Sequence, residues 1–524
     1  VPQQAAERRG LELVSQGNPL EGIPLLAHAA AERPNDPFAL YNLAAAAHAT
    51  AGHWPQALEW LERALAVDPS HPPSNAIYAR VLTAAGHESR AVELYQRLTV
   101  VEPSAPNWRR LAAVQLLIGD LPAALHAQRR ALALAPPDAD QLATHLFTLL
   151  QDPAQTHESL MAVHRTYFPD PEPREFPNDR NPDRPLKIGV LSSEWEGGTA
   201  AYFLAPILQL EGLHKYDVKK LTDKSDADLA AQIRADEIDV MLDISGLLPG
   251  NRFAVIASRV APVQIQYPRY PAATGLAAID YRITDPWADP NPSKDERLLP
   301  LPNGYLAYTP PPTSPAIPTR TGPIKFGFFP GPVRLNEEVL AAIAKILQAL
   351  PEATLLVHYL VPDFDRPGTL ARRRIEDQFA ANGIEPTRLE FAGPRPFQEH
   401  LELVASVDIA LDSFPYNGQT NTCECLWMGV PVLTKSGNRF ATRVSASILH
   451  RVGLEDWIAT STDDYMNRAL TKAKDRKALR ILRHTLRPRL ASSSLTNTTQ
   501  VAKELQSALR QAWRQWCGTI ATRP

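Results

Sequence analysis

LDSFPYNGQTNTCECLWMGVPVLT, residues 411–434, is the stretch whose reading decides the fold. An apolar run leads into a glycine-bearing turn, then a helical stretch, then a second apolar run. That order of strand, turn, helix and strand is the unit of a parallel α/β sheet. Polar groups crowd the turn: Asn417, Gly418, Gln419, Thr420, Asn421 and Thr422. A helix beginning near Asn421 leaves its first N–H groups without intrahelical acceptors and aims the positive end of its dipole at the turn. Phosphate is the kind of anion such a start attracts. Gly418 permits close backbone approach or a positive φ. The same residues also read as a well-capped helix start, with Thr420, Asn421 or Thr422 as the cap and Glu424 completing a capping box.

Working outward, the alternation continues on both sides. IKFGFFP (324–330), ATLLVHYL (353–360), RLEFAG (388–393), VDIALD (407–412) and VPVLT (430–434) read as buried strands with helices between them. A closing helix at 495–517 places Val501, Leu505, Leu509 and Trp513 on one face. Upstream, LKIGVLSS (186–193), IDVMLDISG (238–246), VAPVQIQYP (260–268) and AIDYRITD (278–285) form a second alternating set, with AAYFLAPILQL (200–210) read as helical. Two such sets predict two doubly wound lobes with a ligand cleft between them. Irregular, proline-rich connectors precede each lobe.

The first part of the chain repeats. Gly17, Gly52, Gly86 and Gly119 each end one helix's worth of residues. After each comes a small residue (Gly22, Ala57, Ala91, Ala124), then Leu26, Leu61, Tyr95 and Gln128. Ala29, Ala64, Leu98 and Ala131 follow, and Pro34, Pro69, Pro103 and Pro136 close the unit. A period near 34 with this pattern is that of tetratricopeptide repeats, a helix pair each, of which a stack of about four buries a continuous core. The expected organisation is repeats over 1–150, a connector over 151–184, one lobe over 185–310, a linker over 311–322, and a second lobe with closing helices over 323–524.

With 524 residues, a chain of this length needs several cores. A net charge of −3 gives no reason to expect nucleic acid or an anionic membrane as partner, and the basic stretch Lys472–Arg489 reads as a solvated helix face. No apolar run approaches the length of a membrane span. Cys423, Cys425 and Cys517 cannot all pair, and the C-x-C spacing is short for a metal pair, so no metal site is expected and a reducing, cytoplasmic setting is.

The residues from Val407 to Thr434, with RFATRVSASILHRVGL (439–454), PVQIQYPRYPAATGLAAIDYRITDPWADP (262–290), AAYFLAPIL and the terminal WRQWC, resemble the O-GlcNAc transferase and SPINDLY family of protein glycosyltransferases. Including the repeats, the resemblance covers nearly the whole chain. It implies a GT-B fold of two Rossmann-like lobes after an α-solenoid. It also implies a nucleotide sugar held mainly by the C-terminal lobe as substrate, with no cofactor or metal, and a polypeptide acceptor guided by the repeats. A second copy of the chain is the other partner such repeats accommodate. Carried over position by position, the nucleotide-sugar residues are Arg334, His400, Gly418, Gln419, Thr420, Asn421, Thr422 and Glu424, the last as a ribose-holding carboxylate. Read locally, Arg334 is also a helix-entry arginine and His400 a helix-start surface residue.

The chain departs from the family pattern in places that carry chemistry. The usual Gly-His-Thr-Thr turn reads Gly418-Gln419-Thr420-Asn421, and the family lysine of the loop entering the second lobe is replaced by Arg334 after Pro330 and Pro332. A guanidinium can grip phosphate bidentately but is no neutral swap for an ammonium. The positions of two polar family residues hold Gly198 and Leu247, and Gly-Tyr-Pro-Gly-Thr-Thr becomes Arg269-Tyr270-Pro271-Ala272-Ala273-Thr274. Sugar transfer to a hydroxyl needs a proton acceptor; Glu194, Glu196 and Asp243 are the carboxylates nearby. Two functions follow: an inverting, metal-independent transferase acting on Ser or Thr, or an inactive relative serving as protein adaptor or nucleotide-sugar sensor.

Overall fold

The computed structural model describes every residue except 1, 51–52, 196–201, 249, 268, 291–293, 295, 332–333, 362–363 and 519–524. Its contacts divide the chain into two units, residues 1–136 with 361–376, and residues 137–360 with 377–524.

The first unit is built from helix pairs: Pro2–Ser15 with Pro19–Glu32, Pro37–Ala49 with Trp54–Val67, Pro72–Ala84 with Glu88–Val101, and Ala105–Leu117 with Leu121–Leu134. The positions that recur in the sequence are the ones that pack. Ala57, Ala91 and Ala124 are fully buried, as are Leu61 and Ala64, and Tyr95 and Leu26 nearly so. Gly22 sits where a Cβ would come 2.7 Å from the Gly10 carbonyl, so helices cross there at backbone distance. Residues 361–376 come from far along the chain yet belong to this unit. Arg366 Nη2 donates to the Gly86 carbonyl (2.9 Å), Arg373 to Ser89 Oγ (2.7 Å) and Arg374 to Asp120 Oδ2 (3.1 Å). Nothing in the local pattern of that segment announces this partnership.

The second unit holds two six-stranded, all-parallel sheets. The first is made by β1 (Ile188–Ser192), β2 (Leu213–Asp217), β3 (Val240–Asp243), β4 (Val263–Gln266), β5 (Tyr281–Thr284) and β6 (Leu298–Pro300), in the order 2-1-3-4-5-6. The second is made by β7 (Lys325–Phe328), β8 (Thr354–His358), β9 (Leu389–Ala392), β10 (Ile409–Leu411), β11 (Val432–Lys435) and β12 (Ile458–Ala459), in the order 9-8-7-10-11-12. Both are doubly wound Rossmann-type sheets, so solenoid plus two-lobed α/β is the observed fold. The central strands are covered on both faces, as parallel strands are, and every residue of β1, β3, β4 and β5 is buried.

Three strands escaped the sequence pattern: β2, β6 and β12. Each lies at a sheet edge, where exposed residues such as His214 and Lys215 of β2 break the apolar run. AAYFLAPILQL yields an α-helix only at Ala205–Leu208 among the described residues, its Pro206 sitting at the helix start. The stretch from Asp152 to Arg184, expected to be irregular, contains the helix His157–Tyr167, which pairs in sequence with Ala139–Leu149 as a fifth helix pair. Its capping box, Thr156 with Ser159, lies within a loop-like composition and was easily missed. His164 of this helix is fully buried. Its Nδ1 lies 2.6 Å from the Leu160 carbonyl and Nε2 2.8 Å from the Tyr270 hydroxyl. Burial holds it neutral, its pKa pushed down to about 4.

The closing helix Thr498–Gly518 buries Val501, Leu505, Leu509 and Trp513 as its spacing predicts. The basic run Lys472–Arg489 is split at Asp475, which ends one helix and caps the next. One of its arginines, Arg483, is not a solvated residue: it is buried and donates to the Val407 (2.9 Å) and Pro318 (2.6 Å) carbonyls. Among the described residues no helix is long and apolar enough to cross a membrane.

Candidate functional site

Each sheet has one place where strand order reverses, β1/β3 in the first and β7/β10 in the second. Ligands of such sheets bind outside the carboxyl ends of the strands at that place. From the β7/β10 ends the chain runs into the loop before Arg334 and into the turn before Thr420. A cavity of ≈ 280 Å³ opens there, close to the lower end of the roughly 300–1,000 Å³ typical of small-molecule sites. Arg334, Tyr416, Gln419, Thr420 and Asn421 line it from the second sheet's loops. Arg269, Ile244, Leu248, Tyr267 and Phe203 line it from the first, and Phe147 of the fifth helix pair completes it.

The turn is held by a buried carboxylate. Asp412 Oδ1 accepts the Gly418 N–H at 2.8 Å and Oδ2 accepts the Thr434 hydroxyl at 2.7 Å. Ser445 donates to the Gly418 carbonyl (2.9 Å) and bonds the Thr422 hydroxyl (2.8 Å). Gly418 therefore does not offer its N–H to a ligand. Nor is its φ in the left-handed region: a Cβ there would lie 2.7 Å from Thr422 Oγ1 and 3.2 Å from Asp412 Oδ1, so packing is what requires glycine.

The helix spans Thr420–Trp427, with Gln419 at its N-cap and no side chain capping it. The capped-start reading is thereby corrected. Asn421 is occupied otherwise, its Nδ2 donating to the Phe329 carbonyl and tying the helix start to the loop after β7. The first intrahelical bond runs from Cys423 N–H to Gln419 O. The N–H groups of Thr420, Asn421 and Thr422 precede it, the first two residues lining the cavity, an arrangement that favours an anion.

Arg334 lies over the Tyr416 ring, its guanidinium carbon 4.3 Å from the ring centre, and donates to the Asn417 carbonyl at 3.2 Å. Its position is within the cavity wall and not on the outer surface. His400 is likewise not a surface residue. It sits within the helix Phe397–Ala405, Nε2 3.2 Å from Glu424 Oε2 and Nδ1 2.9 Å from His358 Nε2. His358 is kept neutral by burial, its pKa pushed down to about 4. His400 and Glu424 thus form a pair behind the helix start, and with Gly418 and Thr422 they support the cavity without lining it.

On the opposite wall, Asp243 does not line the cavity either. Its Oδ1 accepts the Gly246 N–H at 3.0 Å, its Oδ2 is buried without a partner, and burial pushes its pKa up to about 7. Glu196 and Gly198 lie outside the described residues. Glu194 is ion-paired with Arg269. Leu247, at the second altered family position, is buried. The sequence pattern singled out Arg269 only as a departure from the family motif and not as a site residue. An arginine at a position where a glycine is expected is the signal that could have found it.

The family model described as Glycosyl transferase family 41 matches residues 160–305 and 323–505. The chain belongs to glycosyl transferase family 41. The two matched stretches carry both cavity walls, and a tetratricopeptide repeat model matches 13–72 and 48–114. Among curated family members, the chain is 33% identical over 385 residues to the probable UDP-N-acetylglucosamine–peptide N-acetylglucosaminyltransferase SPINDLY of Solanum lycopersicum, covering 66% of this chain and 41% of that protein. It is 27% identical over 326 residues to the probable SEC enzyme of Arabidopsis thaliana, covering 59% of this chain and 32% of that one. The matched stretch is thus about a third to two fifths of these relatives' length. Among solved structures, a point variant of the O-GlcNAc transferase of Thermobaculum terrenum superposes with a TM-score of 0.80 at 28% identity, covering 92% of this chain and 98% of that chain.

Proposed function

We propose that this family 41 protein transfers a sugar from a nucleotide-sugar donor to Ser or Thr of a polypeptide acceptor that the repeats guide. The observation that carries the reading is the open cavity at the β7/β10 ends, lined by an uncapped helix start and two arginines and by no carboxylate among the described residues. In this reading the donor's diphosphate lies against Arg334 and the N–H groups of Thr420 and Asn421. As the bond from the anomeric carbon to the phosphate oxygen breaks, these groups stabilise the charge that develops on the leaving diphosphate. The acceptor hydroxyl attacks from the opposite face of the sugar, with inversion, and no metal is called on. Glu424, paired with His400 behind the helix start, braces that end of the cavity. UDP-N-acetylglucosamine, named in the relatives' descriptions, is the first donor to test. The free thiols of Cys423, Cys425 and Cys517 support the cytoplasm as its compartment.

One observation favours binding without transfer. None of the described residues lining the cavity is a histidine or carboxylate, so the proton acceptor for the attacking hydroxyl is not among them. Thermal-shift measurements on the full chain with UDP, GDP and CMP sugars separate the readings. A ligand at 100 times its Kd stabilises by about 2.7 kcal/mol. A shift followed by a mass gain on a Ser/Thr peptide equal to the donor's sugar residue supports transfer. A shift without mass gain leaves a sensor, and no shift with any donor leaves an adaptor.

A further inference from the structure

Taking the cavity above as the donor site, we infer that Arg269 is a second phosphate-gripping residue, held by Glu194 and handed to the donor's diphosphate on binding. Arg269 stands where the family motif has glycine, so it is a cation added to the cleft by this chain. It lines the same cavity as Arg334 from the opposite sheet. The charges of both guanidiniums act on the Tyr416 hydroxyl. Burial raises that group's pKa, and the charges of Arg334 and then Arg269 oppose the rise.

The two cations differ in their state. Arg334 has a backbone carbonyl and an aromatic ring for company. Arg269 has a carboxylate, Glu194, on the loop that leaves β1. Both members of that pair are partly buried, with 18% and 32% of their side chains exposed. A diphosphate entering between the arginines presents more charge and more acceptor oxygens than one carboxylate, and a planar guanidinium suits bidentate contact with it. Glu194 is therefore a competitor of the ligand, and Arg269 contributes to affinity only the difference between its two partners.

This exchange predicts opposite signs for the two partners' removal, whereas a merely structural ion pair predicts the same sign. Isothermal titration of the full chain with UDP and GDP, and with uridine and guanosine as phosphate-free controls, reads the effect. Arg269→Ala is expected to weaken nucleoside diphosphate binding about tenfold or more. Glu194→Gln is expected to tighten it severalfold, and neither variant changes nucleoside binding. If both variants weaken binding, or Glu194→Gln leaves it unchanged, the inference is overturned while the donor-site reading stands. Should Arg269→Ala fail to fold, the Glu194→Gln result decides alone. If the wild-type chain binds no nucleoside diphosphate, the donor-site reading itself fails and this inference falls with it.

Discussion

Asp243 and Asp412 occupy matching places in the two sheets. Each ends or follows the strand beside the first strand of its sheet, and each takes a glycine N–H on one carboxylate oxygen. They differ in the other oxygen. That of Asp412 accepts from Thr434, within a mesh joining Gly418, Thr422 and Ser445. That of Asp243 has no partner, and its neighbours Ile244 and Leu248 turn apolar surface to the cavity. A saturated buried carboxylate makes a rigid turn, and rigidity at the β10 end presents uncapped N–H groups to a ligand at a fixed place. An unsaturated one marks a wall whose polar groups, Arg269 and Tyr267, come from a neighbouring loop and strand end. In the proposed reading the C-terminal lobe holds the donor's diphosphate, and the N-terminal lobe adds Arg269.

The comparison breaks most readily at Asp412. Asp412→Ala leaves two buried donors unpaired, and we expect a loss of about 4 kcal/mol in denaturant unfolding of the second unit. A loss below about 1 kcal/mol would show that the mesh does not depend on this carboxylate. Asp243 tests the other side through pH. Its folded pKa is raised to about 7 by burial, so the unfolded chain releases the proton first. The stability it contributes is full below about pH 4 and is lost as pH rises through about 7. Asp243→Asn should therefore stabilise by about 2–4 kcal/mol at pH 8 and have little effect at pH 4, read as melting temperature at each pH.

Arg334→Ala should weaken nucleotide-sugar binding by about 1.5–3 kcal/mol, the scale of a charge-assisted hydrogen bond; unchanged affinity by titration would remove Arg334 from the site. The smallest effect concerns Gly418. Gly418→Ala pushes a methyl against Thr422 Oγ1, and an overpacking cost of about 1–2 kcal/mol is expected. Adding Thr422→Ala should then cost less than it does alone, since the crowding partner is gone. Strictly additive losses would point to strain elsewhere.

Particular residues show what could be read without coordinates. The repeat glycines, alanines and prolines mark helix pairs because one period serves every copy. The helix beginning at Thr420 lies within one residue of its expected start. Arg334, Gln419, Thr420 and Asn421 do meet in one cavity, as their family positions imply, while their roles there await the binding experiments. Gly418 misled because glycine signals both a special φ and a lack of room, and only neighbours distinguish the two. His400 looked exposed because a helix start is usually wet, and neither His358 nor Glu424 is near it in sequence. Three of the four edge strands escaped because edges need no continuous apolar run.

By itself, then, the sequence determined the solenoid, the two parallel sheets and the strand–turn–helix of residues 411–434, since periodicity and apolar runs are properties of neighbouring residues. Only the tertiary structure decided which carboxylate is saturated, that residues 361–376 join the repeats, and that Arg269 and Arg334 line one cavity. Those facts depend on loops that strand order alone brings together, and a pairing across such distances leaves no trace in local pattern.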